Sequence, residues 1–423
     1  MRLTREEKSW IMYDFANSVY ATIMIAAVFP IYFSSVCKNS GESGDFWWGI
    51  GTAIATATVA ILAPIIGAIA DYKGYKKKLF NRFLMIGLFF TLVTAFTGSW
   101  QLMLLGYTLS HIGFSGSCLV YDSFLTDVTD VKRMDNVSSL GYGVGYIGGS
   151  TIPFLISIGL IAGGEKIGID GTMAVRLSVI LTVLWWGIFS IPMLRNVQQN
   201  YGIETQQAPS LKSIFKAVSG TIQSIVRDKA IFVFLLAYFF YIDGVNTVIN
   251  MATSYGSTLG LDSIKMILAL LVTQLVAFPC AILFGRLSGK WGGLRLIVGA
   301  VIVYLFICFL GFGMGFGLEE GLLSIPQAEK LFWLMAIIVG TVQGGIQAIS
   351  RSYFGKLIPP EKSGEYFGFF DVFGKFAAVI GPALYATVKG ITGRSSFAIL
   401  AITILFGGAL LILILGRKHL KKP

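Results

Sequence analysis

Long apolar runs, broken by short polar and glycine-containing stretches, set the plan of this chain. Runs of about 18 residues or more can cross ~30 Å of hydrocarbon as a helix. They fall near residues 9–36, 45–70, 79–98, 101–124, 137–162 and 174–194, and again near 229–256, 263–285, 294–317, 330–354, 366–390 and 395–416. The first is too long for the apolar core of a cleaved leader and shows no small-residue cleavage site, so it is expected to be retained. The pattern predicts an all-α membrane protein of twelve transmembrane helices. Its six-helix halves, 1–194 and 229–423, are joined by a linker over 195–228. Arg195 to Pro209 reads as a flexible polar segment. Leu211, Ile214, Phe215, Val218, Ile222, Ile225 and Val226 then recur at helical spacing after a capping Ser210, with Lys212 and Lys216 elsewhere on the wheel. Such a helix either lies on the inner membrane surface or packs on the bundle.

Composition agrees with this plan. Hydrophobic residues make up 55% of the 423 and charged ones 13%, about half the charged share of a soluble protein. The net charge of +11 follows topology. With the N-terminus inside, 25 of the 33 basic residues fall on the cytoplasmic side, among them Arg2, Arg5, Lys8, Lys73, Lys76, Lys77, Lys78, Lys132, Arg133 and the tail Arg417, Lys418, Lys421 and Lys422. This bias predicts cytoplasmic termini and gives no reason to invoke nucleic acid. Trp10 and Trp291 would mark the inner interface, and Phe46, Trp47, Trp48 and Trp100 the outer one. Four scattered cysteines and two histidines offer no metal spacing, disulfide framework or cofactor site. A phosphate loop of the Walker type is absent from the sequence, so a gradient rather than ATP is the expected driving force.

The halves echo one another at an offset of 229 residues. Asp14 and Asn17 recur as Asp243 and Asn246, Gly116 as Gly345, Ser123 as Ser352, Gly145 as Gly374 and Pro153 as Pro382. In each copy the acid and the carboxamide are three residues apart and share a helix face. A head-to-tail duplication with an ionisable group in each copy points to transport through a central site, the halves related by an axis along the membrane normal. Gly141, Gly145 and Gly149, widened by Gly148, form a ridge on which another helix backbone can lie closely.

The turn after the second run reads Gly67-x-x-x-Asp71-x-x-Gly74-x-Lys76-Lys77. This resembles the signature loop of the major facilitator superfamily, which lies between the second and third spans. A weakened echo over Gly285–Arg295 has Gly289 where the acid should be. The resemblance implies a cytoplasmic latch, with Asp71 bonding a neighbouring helix end. A narrower resemblance runs through Tyr13–Thr22, Phe29–Phe33, Val137–Gly141, Asp243-Gly244-Val245, Gln343–Ser352 and Glu365-Tyr366-Phe367-Gly368. These segments are similar to the vacuole-effluxer branch of that superfamily, whose fungal members are linked to release of amino acids from the vacuole. The resemblance implies a carrier that moves amino acids or similar metabolites outward across a bacterial inner membrane.

Polar stripes then supply the candidates. Span seven aligns Asp243, Asn246, Thr247, Asn250 and Ser254; span ten aligns Gln343, Gln347, Ser350 and Arg351; span four aligns His111, Ser115, Cys118 and Asp122. A charge at the bilayer centre costs ~3 kcal/mol, so such stripes should face an aqueous cavity or one another. Asp243, about midway along its span, is the expected proton-coupling acid, with Asp14 a shallower second that could equally cap the inner end. Asn17, Asn246, Asn250, Gln343 and Gln347 are the expected solute hydrogen-bonding groups. Lys375 could hold an anionic group or pair with Asp371, four residues away. Asp122 and Arg351 occupy related places in the repeat and could form an inner gate. The expected activity is secondary transport of a small polar solute, coupled to a proton or another ion, by a monomer in a lipid bilayer. An amphiphile or drug exporter is the rival; a non-transporting sensor or scaffold is the alternative of another class. Enzymatic chemistry lacks a nucleophile–base or metal cluster.

Overall fold

A computed structural model describes residues 2–204, 210–377 and 379–420. Lys421 and Lys422 of the basic tail, and residues 205–209 of the linker, lie outside the described residues. Among the described residues, twelve helices are long and apolar enough to span a membrane: Arg5–Asn39, Phe46–Ala70, Tyr75–Phe96, Trp100–Val128, Met134–Ile167, Gly171–Asn196, Lys229–Thr258, Ile264–Trp291, Gly293–Glu319, Ile325–Leu357, Pro360–Thr392 and Ser395–Leu415. They are numbered spans one to twelve. The linker helix, Leu211–Arg227, stands between spans six and seven.

Polar caps explain where the spans begin. The Ser43, Asp170, Asp228 and Asp262 side chains each accept a backbone N–H from the first turn that follows. Span one starts at Arg5, earlier than hydropathy alone indicates, because Thr4 and Glu7 form a reciprocal capping box. Asp14 is therefore the tenth residue of its helix, and Asp243 is the fifteenth of span seven.

In three spans the α-helix is interrupted just ahead of a proline. Span one has a π turn over Ala21–Ala27 before Pro30, and span five one over Tyr146–Thr151 before Pro153. Span eleven stops at Phe376 and resumes at Ile380, before Pro382. Proline removes one N–H and its ring crowds the preceding carbonyl, so the turn before it must widen or open. Proline alone is insufficient, since Pro64, Pro192 and Pro279 sit inside continuous helices.

The contacts divide the chain into two compact units. One comprises Met1–Val137, Val144–Ser219 and Pro359–Phe369; the other comprises Ser138–Gly143, Gly220–Ile358 and Phe370–Pro423. Each therefore takes in a short segment from the opposite half of the sequence. Spans four, seven and ten are the most enclosed, with 61% of the core window buried, against 22% for span eight. Large apolar side chains such as Ile61, Phe89, Leu102 and Ile404 are exposed, as contact with hydrocarbon requires.

Candidate functional site

Two clusters of charged groups stand out, one in each unit. The first is the turn between spans two and three. Gly74 has φ +82°, a left-handed conformation that a side chain would strain. Gly67 is pressed against Gly364, where an added Cβ would come within 2.2 Å of the Gly364 carbonyl oxygen. That approach brings the Asp71 carboxylate to the first turn of span eleven, where it accepts N–H from Gly364 at 2.6 Å and Glu365 at 2.9 Å. The unpaired N–H groups of a helix start favour an anion there. Burial raises the Asp71 pKa to about 7, outweighing Lys76 and the two N–H groups, which lower it.

Lys76 is wholly buried. Its Nζ donates to Asp127 at 2.7 Å, the Ser363 hydroxyl at 2.9 Å and the Ser123 carbonyl at 3.4 Å, and lies 5.3 Å from the centre of the Phe124 ring. Asp127 also accepts N–H from Asn200 at 2.7 Å and Tyr201 at 2.8 Å. Lys77, half-buried, has no such set of contacts described. The described part of the linker corrects the expectation of a flexible segment. Gln199 accepts N–H from Gly74 and Lys76 and donates to the Ala70 carbonyl, while Ile203 pairs with the 71–73 backbone. Polar residues read as solvated are consumed by the orphan backbone groups of the turn. Asp127, Ser363 and Gln199 were missed, because contacts 51 to 287 residues apart leave no local signal.

The second cluster lies where span eleven breaks. Asp243 is fully buried, and both carboxylate oxygens accept the Gly381 N–H at 3.0 Å. Gly381 is required there, since a Cβ would fall 1.9 Å from the Thr247 hydroxyl and 2.9 Å from the carboxylate. Span seven thus supplies an anion to the restarting helix of span eleven. On the preceding segment Lys375 pairs with Asp371, four residues earlier, both side chains partly exposed. Asn246 and Gln347 are half-buried and Asn250 is exposed. Gln343 and Thr273 line a mainly apolar cavity of about 80 Å³ with Ile249, Ala252, Tyr255, Phe332 and Met335. Arg351 donates to the Ser138 hydroxyl at 3.0 Å and its carbonyl at 3.1 Å, and its guanidinium lies over the Tyr142 ring.

In the first unit, Asp14 and Asn17 are buried on span one. The glycine ridge of span five meets that helix. An added Cβ on Gly149 would come 2.1 Å from Ser18, and one on Gly148 1.8 Å from the Phe15 ring. Asp122 is half-buried, and the Tyr107 hydroxyl meets the buried His111 ring at 3.1 Å. Asp371 and Lys375 are thus joined directly, and Asp71, Gly67, Gly74 and Lys76 share one cluster. Among the described residues, no group of His, Cys, Asp and Glu side chains is arranged to hold a metal.

Comparison with known proteins shows the family. A family described as "Vacuole effluxer Atg22 like" matches residues 49–128 and 125–421. The MFS-type transporter YxiO of Bacillus subtilis is 45% identical over 97% of this chain and 95% of its own length. Autophagy-related protein 22-2 of Aspergillus clavatus is 28% identical over 65% of this chain and 47% of its own. Two solved structures share the fold. The human organic anion transporter MFSD10 has a TM-score of 0.73 at 13% identity over 97% of this chain and 99% of its own. The proton:xylose symporter XylE has a TM-score of 0.70 at 11% identity over 99% and 96%. The relatives are transporters rather than enzymes, and this chain is a multi-pass transporter of the major facilitator superfamily that belongs to its Atg22-like vacuole effluxer family.

Proposed function

We propose that the protein is a proton-coupled secondary transporter that moves a small polar solute, an amino acid or similar metabolite, out of the cytoplasm. It would sit in a bacterial inner membrane with both termini cytoplasmic, acting as a monomer by alternating access of its two six-helix halves. The observation that carries the reading is the Asp243–Gly381 contact. A carboxylate sealed within a span holds the start of a broken helix, so its protonation state and the helix position are tied. Ionised, Asp243 holds Gly381 through both oxygens. Protonated, it keeps one weaker acceptor, and the outer segment of span eleven is released to move. Asp14 would serve as the second acid.

Solute recognition is assigned to the Lys375–Asp371 pair, supported by Asn17, Asn246, Asn250, Gln343 and Gln347. A zwitterion can replace each partner of that pair, its carboxylate meeting Lys375 and its ammonium Asp371, with no net charge left uncompensated. The latch of Gly67, Asp71, Gly74, Lys76 and Lys77 would hold one end state, with Asp122 and Arg351 gating the inner side. A second reading, export of an amphiphile, is favoured by the apolar cavity beside Gln343.

The deciding measurement is solute flux in proteoliposomes, with and without a pH gradient, for wild type and Asp243→Asn. Gradient-driven flux should vanish in the variant while exchange at equal pH persists. Gradient-driven flux equal to wild type would remove Asp243 from coupling. A thermal-shift screen of amino acids and amphiphiles separates the two solute classes, since a bound ligand stabilises the folded state.

A further inference from the structure

We infer that the linker helix Leu211–Arg227 binds an anionic bilayer surface, specifically the headgroups of acidic phospholipids in the leaflet from which span seven enters. The helix has no acidic residue in its 17 positions. At about 100° per residue its side chains fall into three sectors. Ile214, Thr221 and Ile225 form one sector and are buried in the protein, at 4%, 0% and 6% exposure. Leu211, Phe215, Ile222 and Val226 form the next, at 74%, 61%, 46% and 61% exposure. Lys212, Lys216 and Arg227 form the third and are all exposed. The apolar strip therefore lies between the packed face and a basic margin.

That order is what a helix needs when hydrocarbon lies on one side and phosphate on the next. Continuity fixes the occupant. Only Asp228 separates the helix from span seven, so its C-terminal end is held at the bilayer surface. The Asp228 carboxylate is committed to the Ala230 and Ile231 N–H groups and caps the span rather than neutralising the margin. Each basic residue near an anionic surface contributes about fivefold in binding, so three contribute roughly a hundredfold. This inference is independent of the solute and of the coupling ion.

The test uses the full chain in bilayer discs of phosphatidylcholine alone or with one quarter phosphatidylglycerol, reading amide hydrogen exchange across 211–227. Exchange should slow about tenfold or more in the anionic discs. The triple variant Lys212→Gln/Lys216→Gln/Arg227→Gln should lose that difference, with exchange in the spans unchanged as proof of folding. Phe215→Ser/Ile222→Ser should exchange fast in both lipids. Equal exchange of wild type in the two bilayers would overturn the inference. So would a lipid-dependent slowing that the triple variant retains.

Discussion

Spans five and eleven occupy related places in the internal repeat, and both abandon α-helical geometry at matching positions, but they settle the cost differently. Span five widens into a π turn over Tyr146–Thr151, where the Thr151 hydroxyl donates to the Tyr146 carbonyl at 2.7 Å. Its neighbouring glycines seat against Ser18 and Phe15 of span one. The helix of span eleven stops at Phe376 and resumes at Ile380, and the buried N–H of Gly381 is held by the carboxylate of Asp243. Its first turn is also held by an acid, Asp71. Of the equivalent bends in the duplicated fold, the one in span five carries a hydroxyl-to-carbonyl bond and the one in span eleven a carboxylate contact. On the proposed mechanism, that contact makes span eleven the element on which a proton would act.

Asp243→Asn should give the largest effect on this contrast, abolishing gradient-driven flux. Thr151→Ala at the neutral bend should leave flux intact and cost only about 1 kcal/mol for the lost hydrogen bond. At the latch, Lys76→Met leaves Asp127 buried without its cation and should destabilise by ~3–5 kcal/mol in thermal unfolding. Adding Asp127→Leu should recover part of that loss. Gly381→Ala and Gly149→Ala each overpack a close approach, at about 1–3 kcal/mol. Only the Gly381 variant should also slow transport, and equal flux in the two would dissolve the distinction between the spans.

The latch adds a pH dependence of definite sign. Folded Asp71 keeps its proton up to about 7, whereas unfolded it releases it near 3.8. The folded state therefore binds more protons across that window. The contribution is full below the lower value, and stability should fall as pH rises toward 7. Thermal unfolding of wild type from pH 5 to 8 should show the decline, and Asp71→Asn should flatten it. Lys73→Ala removes only the exposed contact with Glu204 and should change stability by less than ~0.5 kcal/mol.

Much of this was legible because hydropathy reports environment directly: all twelve spans were readable from runs of apolar residues. The start of span one was not, since Thr4 and Glu7 are polar residues whose reciprocal bonding outweighs their hydropathy. The latch turn was readable from Gly67, Asp71 and Gly74, because its geometry is local. The partners of Lys76 were not, since Asp127 and Ser363 arrive from distant helices. Pro382 and Gly381 were visible as residues, yet the break before them depends on Asp243 being at hand to receive the freed N–H. Asp371 and Lys375 lie one turn apart, which made their pairing readable, whereas whether a solute can part them is a property of the filled site.

The turn between spans eight and nine has a consequence of its own. Gly292 has φ +82°, the same value as Gly74, although Gly289 replaces the acid that Asp71 supplies in the other copy. Their ψ values differ, −4° at Gly74 and 142° at Gly292, so duplication has left two turns that share a positive φ but differ in backbone course and in charge. A handed backbone kink outlasts an electrostatic contact, because removing it strains the main chain itself, while losing a carboxylate costs only the partner it touched. Gly289 lies inside the helix that ends at Trp291, whereas Asp71 follows the end of its own, so an acid placed at 289 would meet different surroundings and is a direct way to ask how much asymmetry this machine requires.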